Sequence, residues 1–237
     1  MSKKQEIRER RRKEKKQKQL ITLGLMIIGA GLIAAALIYP STQLNTSEFS
    51  SRYMADGNAM GNPDAPVTIT GYSDYRCSHC GTFAFETEPL LEEAFIATDQ
   101  VYFISRSVGM LLGSQPSVLA TEASYCAGEQ NKYWEMHDLI FANQTTVFTE
   151  GLLEKWAKTV DVDMDAYQAC MKDNRYDDII AQDQADAEAE GISGTPSFVI
   201  SYEVDGEVVK QLLPGNYPFN AFEQAIDDAY AAMGLER

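Results

Sequence analysis

The architecture of the chain turns on the run Val67-Thr68-Ile69-Thr70-Gly71-Tyr72 and the segment that follows it directly, Ser73-Asp74-Tyr75-Arg76-Cys77-Ser78-His79-Cys80. The first half is β-branched and aromatic and follows turn chemistry at Pro63-Asp64-Ala65-Pro66, which predicts a short buried strand. The second half places two cysteines, two residues apart, where that strand gives way to a helix. Phe83, Phe85, Leu90, Leu91 and Phe95 then recur at helical spacing with Glu86, Glu88, Glu92 and Glu93 between them. Pro89 lies inside the stripe and predicts a kink. Val101-Tyr102-Phe103-Ile104 predicts a second strand.

Further out, residues 114–190 are helical in pattern, broken by polar loops. Leu119, Ala123 and Cys126 share a face, as do Trp134, His137 and Phe141, then Leu153, Trp156 and Val160. Met164, Tyr167 and Met171 continue the block. Tyr176, Ile179 and Ile180 form its last stripe, before Gly191 as a C-terminal stop. Strands return at Ser197-Phe198-Val199-Ile200-Ser201 and over residues 207–213, joined by Asp205-Gly206 as a hairpin turn. A closing helix covers residues 218–232. The class is α/β, with a helical block inserted between strands.

The chain has 237 residues, 45% hydrophobic and 23% charged, which excludes a disordered chain, a collagen, a disulfide knot and a multi-pass membrane protein. Its net charge of -15 is unevenly spread, because residues 1–19 hold ten Lys or Arg against Glu6, Glu9 and Glu14. That head carries +7, and the remainder, with 10 basic and 32 acidic side chains, carries -22. Such a body repels a phosphate backbone, so nucleic acid is excluded as a partner. Residues 20–39 contain no charged side chain and, at 1.5 Å per residue, match a bilayer's hydrocarbon core of about 30 Å. A single membrane anchor is expected there, with the basic head cytoplasmic and the body exported. A cleaved signal peptide is the competing reading, but its apolar run would be shorter. Residues 40–60 are polar, lack an apolar period and predict a tether. The folded domain is expected over 61–237.

Four cysteines, at 77, 80, 126 and 170, all fall on the exported side, where disulfides persist. A thiol in the first turn of a helix faces free N–H groups and the positive end of the helix dipole, both of which favour a thiolate. Cys77 is therefore the expected nucleophile and Cys80, one turn further in, the resolving thiol. His79 can add positive charge or a hydrogen bond to the thiolate, and Ser78 offers one more donor. The same spacing also suits half of a zinc site, with His79 or His137 as third ligand, or a static disulfide. A lone His137 on an apolar helical face is more often a satisfied core residue.

Gly61-Asn62-Pro63-Asp64-Ala65-Pro66-Val67-Thr68-Ile69, the Cys77-Ser78-His79-Cys80 segment, and Gly191-Ile192-Ser193-Gly194-Thr195-Pro196-Ser197-Phe198 together resemble the DsbA-like thiol-disulfide oxidoreductases, membrane-tethered members above all. The likeness covers residues 60–235 and implies a thioredoxin fold with a helical domain inserted after the second strand. It implies a cis Thr195-Pro196 bond opposite Cys77, where the exposed backbone pairs with an extended substrate. It also implies a structural disulfide between Cys126 and Cys170, as some members carry a further cysteine pair in the insertion. Two free buried thiols, or a second redox pair, are the other readings of those cysteines. The family's usual spacer has proline where Ser78 stands.

The expected function is an exported oxidoreductase that acts on cysteine-containing exported proteins and is reoxidised, by the resemblance, by a quinone-linked membrane partner. Its dithiol chemistry requires no cofactor and no metal. The alternative is a membrane-tethered binding or assembly adaptor in which Cys77 and Cys80 form a permanent staple.

Overall fold

The computed structural model describes residues 52–109 and 115–237, together with Lys15, Lys16 and Gly24. Apart from Gly24, the membrane anchor expected at residues 20–39, and most of the head and tether on either side of it, lie outside the described residues. Among the described residues no helix is long and apolar enough to cross a membrane.

The elements run β1 (Ala59–Met60), β2 (Val67–Ser73), a helical rod, then β3 (Val101–Ser107). The rod is built from α1 (Ser78–Thr82), a π-helical turn (Phe83–Thr87), α2 (Glu88–Leu91) and a second π-helical turn (Glu92–Ile96). The insertion contributes α3 (Gln115–Gly128), α4 (Tyr133–Ala142), α5 (Glu150–Thr159), α6 (Met164–Lys172) and α7 (Asp177–Ala189). The hairpin β4 (Ser197–Val204) and β5 (Glu207–Pro214) and the closing α8 (Phe219–Met233) complete the fold.

One sheet is formed in the order β1-β3-β2-β4-β5. β2 runs parallel to β3, which requires the crossover that the rod supplies, and antiparallel to β4. The β4–β5 turn holds Asp205 at φ 54° and Gly206 at φ 83°, the two successive positive values of a two-residue hairpin turn. Alternation along the strands covers both faces: Val67, Ile69, Phe103, Phe198 and Ile200 enter the main core, while Tyr72 and Val199 join Val108, Ala187 and Ile192 on the other side. The rod and α8 close the main face, with Phe83 and Phe222 rings 5.7 Å apart and Phe95 and Phe219 also 5.7 Å apart.

Pro89 lies in the first turn of α2, with π-helical turns on both sides. Proline removes one backbone donor and crowds the carbonyl four residues earlier. A wider turn eases the crowding and lets that carbonyl reach the next N–H along, which accounts for the π-helical turns around Pro89. The last stripe of the insertion differs from the sequence pattern: α7 buries Ile180, Asp183 and Ala187 and leaves Ile179 46% exposed. Asp183 is held inside by the Tyr125 hydroxyl at 2.5 Å and Arg106 at 3.4 Å, a tertiary arrangement that hydropathy cannot encode.

The tether expected to reach residue 60 ends sooner. Ala59 and Met60 pair with Ile104 and Phe103, and Met60 is fully buried. Arg52 lies over the Trp134 ring at 5.6 Å and donates to Glu88 and Asp138, each at 2.9 Å, and to Glu92 at 3.3 Å. A two-residue strand has no readable period, and carboxylates 36, 40 and 86 positions away leave no local mark on the segment they fix.

Candidate active site

The strand β2 ends at Ser73, and the next residues turn the chain sharply before α1. Asp74 shapes that turn: its carbonyl accepts from Cys77 N–H at 2.9 Å and its Oδ1 from Arg76 N–H at 2.7 Å. The Asp74 side chain is fully buried and takes a further hydrogen bond from the Ser117 hydroxyl of α3. Cys77 is the N-cap of α1, in extended backbone conformation, and its carbonyl accepts from Cys80 N–H at 3.1 Å and Gly81 N–H at 3.2 Å. The cap therefore places the Cys77 sulfur at the mouth of the helix.

The two thiols have different surroundings. Both are free of disulfide; Cys77 is half-buried at the rim and Cys80 is buried beneath it. The Cys77 thiol donates to the Thr195 carbonyl at 3.3 Å. Its pKa is lowered to about 5, first by hydrogen bonding from the Cys80 thiol, then by the Thr195 side chain and the N–H groups of Cys80 and His79; partial burial opposes the shift. The Thr195 hydroxyl has no other partner among the described residues, so it is available to the thiolate once the proton leaves. Burial pushes the Cys80 thiol above its ordinary range, and its neighbour Cys77 pushes it further. Its sulfur accepts from Asp74 N–H at 3.5 Å.

The Thr195-Pro196 peptide bond is cis. The residue pair stands directly opposite Cys77, where residues 191–197 with Pro214 and Gly215 line an open groove. Ser78 and His79 are exposed, and His79 reaches Cys77 through its backbone N–H. Cys126 of α3 and Cys170 of α6 are joined in a disulfide with Cα atoms 5.8 Å apart, and both are fully buried.

His137 lies in an aromatic nest of Tyr75, Trp134 and Phe141, with Nδ1 2.9 Å from Asp138. It lines the same small void as Cys80, but no group of three metal-ligating atoms among the described residues includes either active-site cysteine. Two other groups have ligand-like composition. In the Glu88, His137 and Asp138 group the Arg52 guanidinium already supplies the cation, and in the Glu122, Cys126 and Cys170 group the sulfurs are bonded to each other.

Sequence reasoning did not find Asp74, Ser117 or Gln144, whose side chain donates to the Cys77 carbonyl at 2.9 Å. Asp74 had a signal, a lone acid between a buried strand and the first cysteine. Gln144 had none, because it comes from the α4–α5 loop 67 residues downstream.

A parallel β–helix–β unit, an antiparallel hairpin opening on a cis proline, and a cysteine pair at the first helix define a thioredoxin-type domain. The chain belongs to the thioredoxin family, whose model matches residues 54–228, and its helical insertion is of the DsbA-like kind. It is 23% identical over 226 residues to a probable disulfide bond formation protein D of Bacillus cereus, covering 90% of this chain and 97% of that one. It is also 31% identical over 178 residues to Na(+)/H(+) antiporter NhaA 3 of Salinispora tropica, covering 75% of this chain but only 25% of the antiporter. The chain thus spans about a quarter of the length of that curated relative. Among solved structures, Wolbachia pipientis alpha-DsbA1 superposes with a TM-score of 0.65 at 24% identity, covering 73% of this chain and 90% of that one. Oxidised BdbD of Bacillus subtilis does so at 0.63 and 22%, covering 77% and 97%.

Proposed function

We propose that the chain is an exported, membrane-anchored thiol-disulfide oxidoreductase that forms disulfides in cysteine-containing exported proteins through Cys77 and Cys80. The observation that carries this reading is the asymmetry of the two thiols. One is acidic and reachable, and the other is buried and held protonated. A static staple needs no such difference. A thiolate stabilised to this degree is a good leaving group, which favours passing the disulfide to a substrate over keeping it.

In the oxidised protein a substrate thiolate attacks the Cys77 sulfur, and Cys80 leaves and takes up a proton. The substrate's second thiol, having lost its proton, then attacks the substrate sulfur of the mixed disulfide. Cys77 departs as a thiolate held by the helix start, and the enzyme is left as a dithiol. Ser78 and His79 shape the rim, and the backbone at Thr195 and Pro196 pairs with the extended substrate. A membrane partner, quinone-linked by the family resemblance, takes the two electrons back.

The uncharged run at residues 20–39, the basic head before it and the homologous stretch carried within Na(+)/H(+) antiporters support a site of action beside a membrane. The test is the equilibrium redox potential of the full chain, with oxidation of a reduced two-cysteine peptide as the activity readout. A potential well above that of a structural disulfide, together with activity lost in Cys77→Ala, is expected. A pair that resists dithiothreitol would replace this reading with the tethered adaptor.

A further inference from the structure

We propose that Gln144, delivered by the helical insertion, is a positioning residue for Cys77; the inference rests on Cys77 being the nucleophile. The α4–α5 loop leans on the redox turn at two adjacent residues. Arg76 Nη1–H donates to the carbonyls of Gln144 at 2.6 Å and Thr146 at 2.7 Å, and its guanidinium lies 5.5 Å over the Phe148 ring. The Gln144 amide turns inward from that anchored loop and donates to the Cys77 carbonyl at 2.9 Å. Side chain and backbone of one residue thereby hold Cys77 and Arg76 together.

The glycine after the second cysteine gives independent support. Gly81 is helical and buried, without a positive φ, so its backbone conformation does not require glycine. Glycine weakens a helix relative to alanine. A Cβ at position 81, however, would lie 2.0 Å from Gln144 Oε1 and 3.0 Å from its Cδ. Gly81 is the gap into which Gln144 fits.

The Cys77 carbonyl is the acceptor that starts α1, taking the N–H groups of Cys80 and Gly81. A third donor from outside the helix fixes the cap, and with it the line between the Cys77 sulfur and the N–H groups that lower its pKa. Loss of that donor lets the cap turn away and the thiol become less acidic. The reduced form is then less stabilised, so the protein becomes a weaker oxidant.

The test titrates the thiolate by its absorbance near 240 nm in the reduced full chain. Four variants are compared with wild type: Gln144→Met, Gln144→Ala, Gly81→Ala, and Gly81→Ala combined with Gln144→Ala. Gln144→Met keeps the length and removes the donor, and should raise the midpoint by less than the about 0.7 unit that a whole neutral hydrogen bond would give, because the contact is made to the backbone in both thiol and thiolate and only its difference between them counts. Gly81→Ala should raise it similarly by evicting the glutamine, yet change nothing further when Gln144 is already alanine. Midpoints of Gln144→Met and Gly81→Ala equal to wild type would overturn the inference, as would an alanine at 81 that acts equally in both backgrounds. A wild-type thiol that titrates in the ordinary range would instead refute the nucleophile reading itself.

Discussion

The Cys77 thiolate is made by few groups, and the pH dependence follows from their sign. Its folded pKa, about 5, lies below the ordinary thiol value of 9.0. A depressed acid contributes to the stability of the reduced fold above the unfolded value and loses that contribution as pH falls through the folded one. Reduced wild type should therefore gain stability over Cys77→Ala as pH rises from 5 to 9, and show no such gain below 5. Urea unfolding of both proteins in dithiothreitol at pH 4.5, 6 and 7.5 checks this. Alkylation by iodoacetamide should level off just above pH 6 in wild type, because the reactive fraction is already ionised there.

At the scale of elements, local chemistry and period carried most of the architecture. The strand before Cys77, the hairpin at Asp205-Gly206 and the helical block after Ser114 were legible because each has its own signature. β1 was not legible, since two residues show no alternation, and Ile179 was misplaced because a polar residue, Asp183, claims the inner face of α7. The cysteine pair could be read as a site, and the family resemblance placed Thr195 opposite it, whereas Ser117 and Gln144, which lie 40 and 67 positions beyond Cys77, meet the redox turn only in the folded chain and left no mark on the sequence. The hairpin allows a simple check. Gly206 sits at φ 83°, so Gly206→Ala should lower unfolding free energy by about 1 kcal/mol, measured by urea denaturation, with the Cys77 titration unchanged.

Over the whole molecule, two long-range ties fasten the periphery. Arg52 is closed in among Glu88, Glu92 and Asp138, with side-chain exposures of 7%, 2%, 17% and 8% respectively. Removing one member of such a group strands the others without water, so Arg52→Ala should cost about 3 to 5 kcal/mol. Burial raises the Glu88 pKa, so Glu88→Gln, which keeps the shape and removes one charge, should cost less. Chemical denaturation of both variants gives the comparison. The Cys126–Cys170 bond closes a loop of 44 residues, and by chain entropy its loss should cost about 4 kcal/mol, read as a lower midpoint for the double alanine variant under non-reducing conditions.

That second tie bears on how the protein comes into being. Cys126 and Cys170 have no solvent contact once the insertion has closed, so an oxidant must reach them while the chain is still open. If that oxidant is the protein itself, as the proposed function allows, each newly exported copy is first a client of the copies made before it. A cell that lost its whole stock would then have to mature the next generation without help, and recovery would begin slowly and accelerate as finished molecules accumulate.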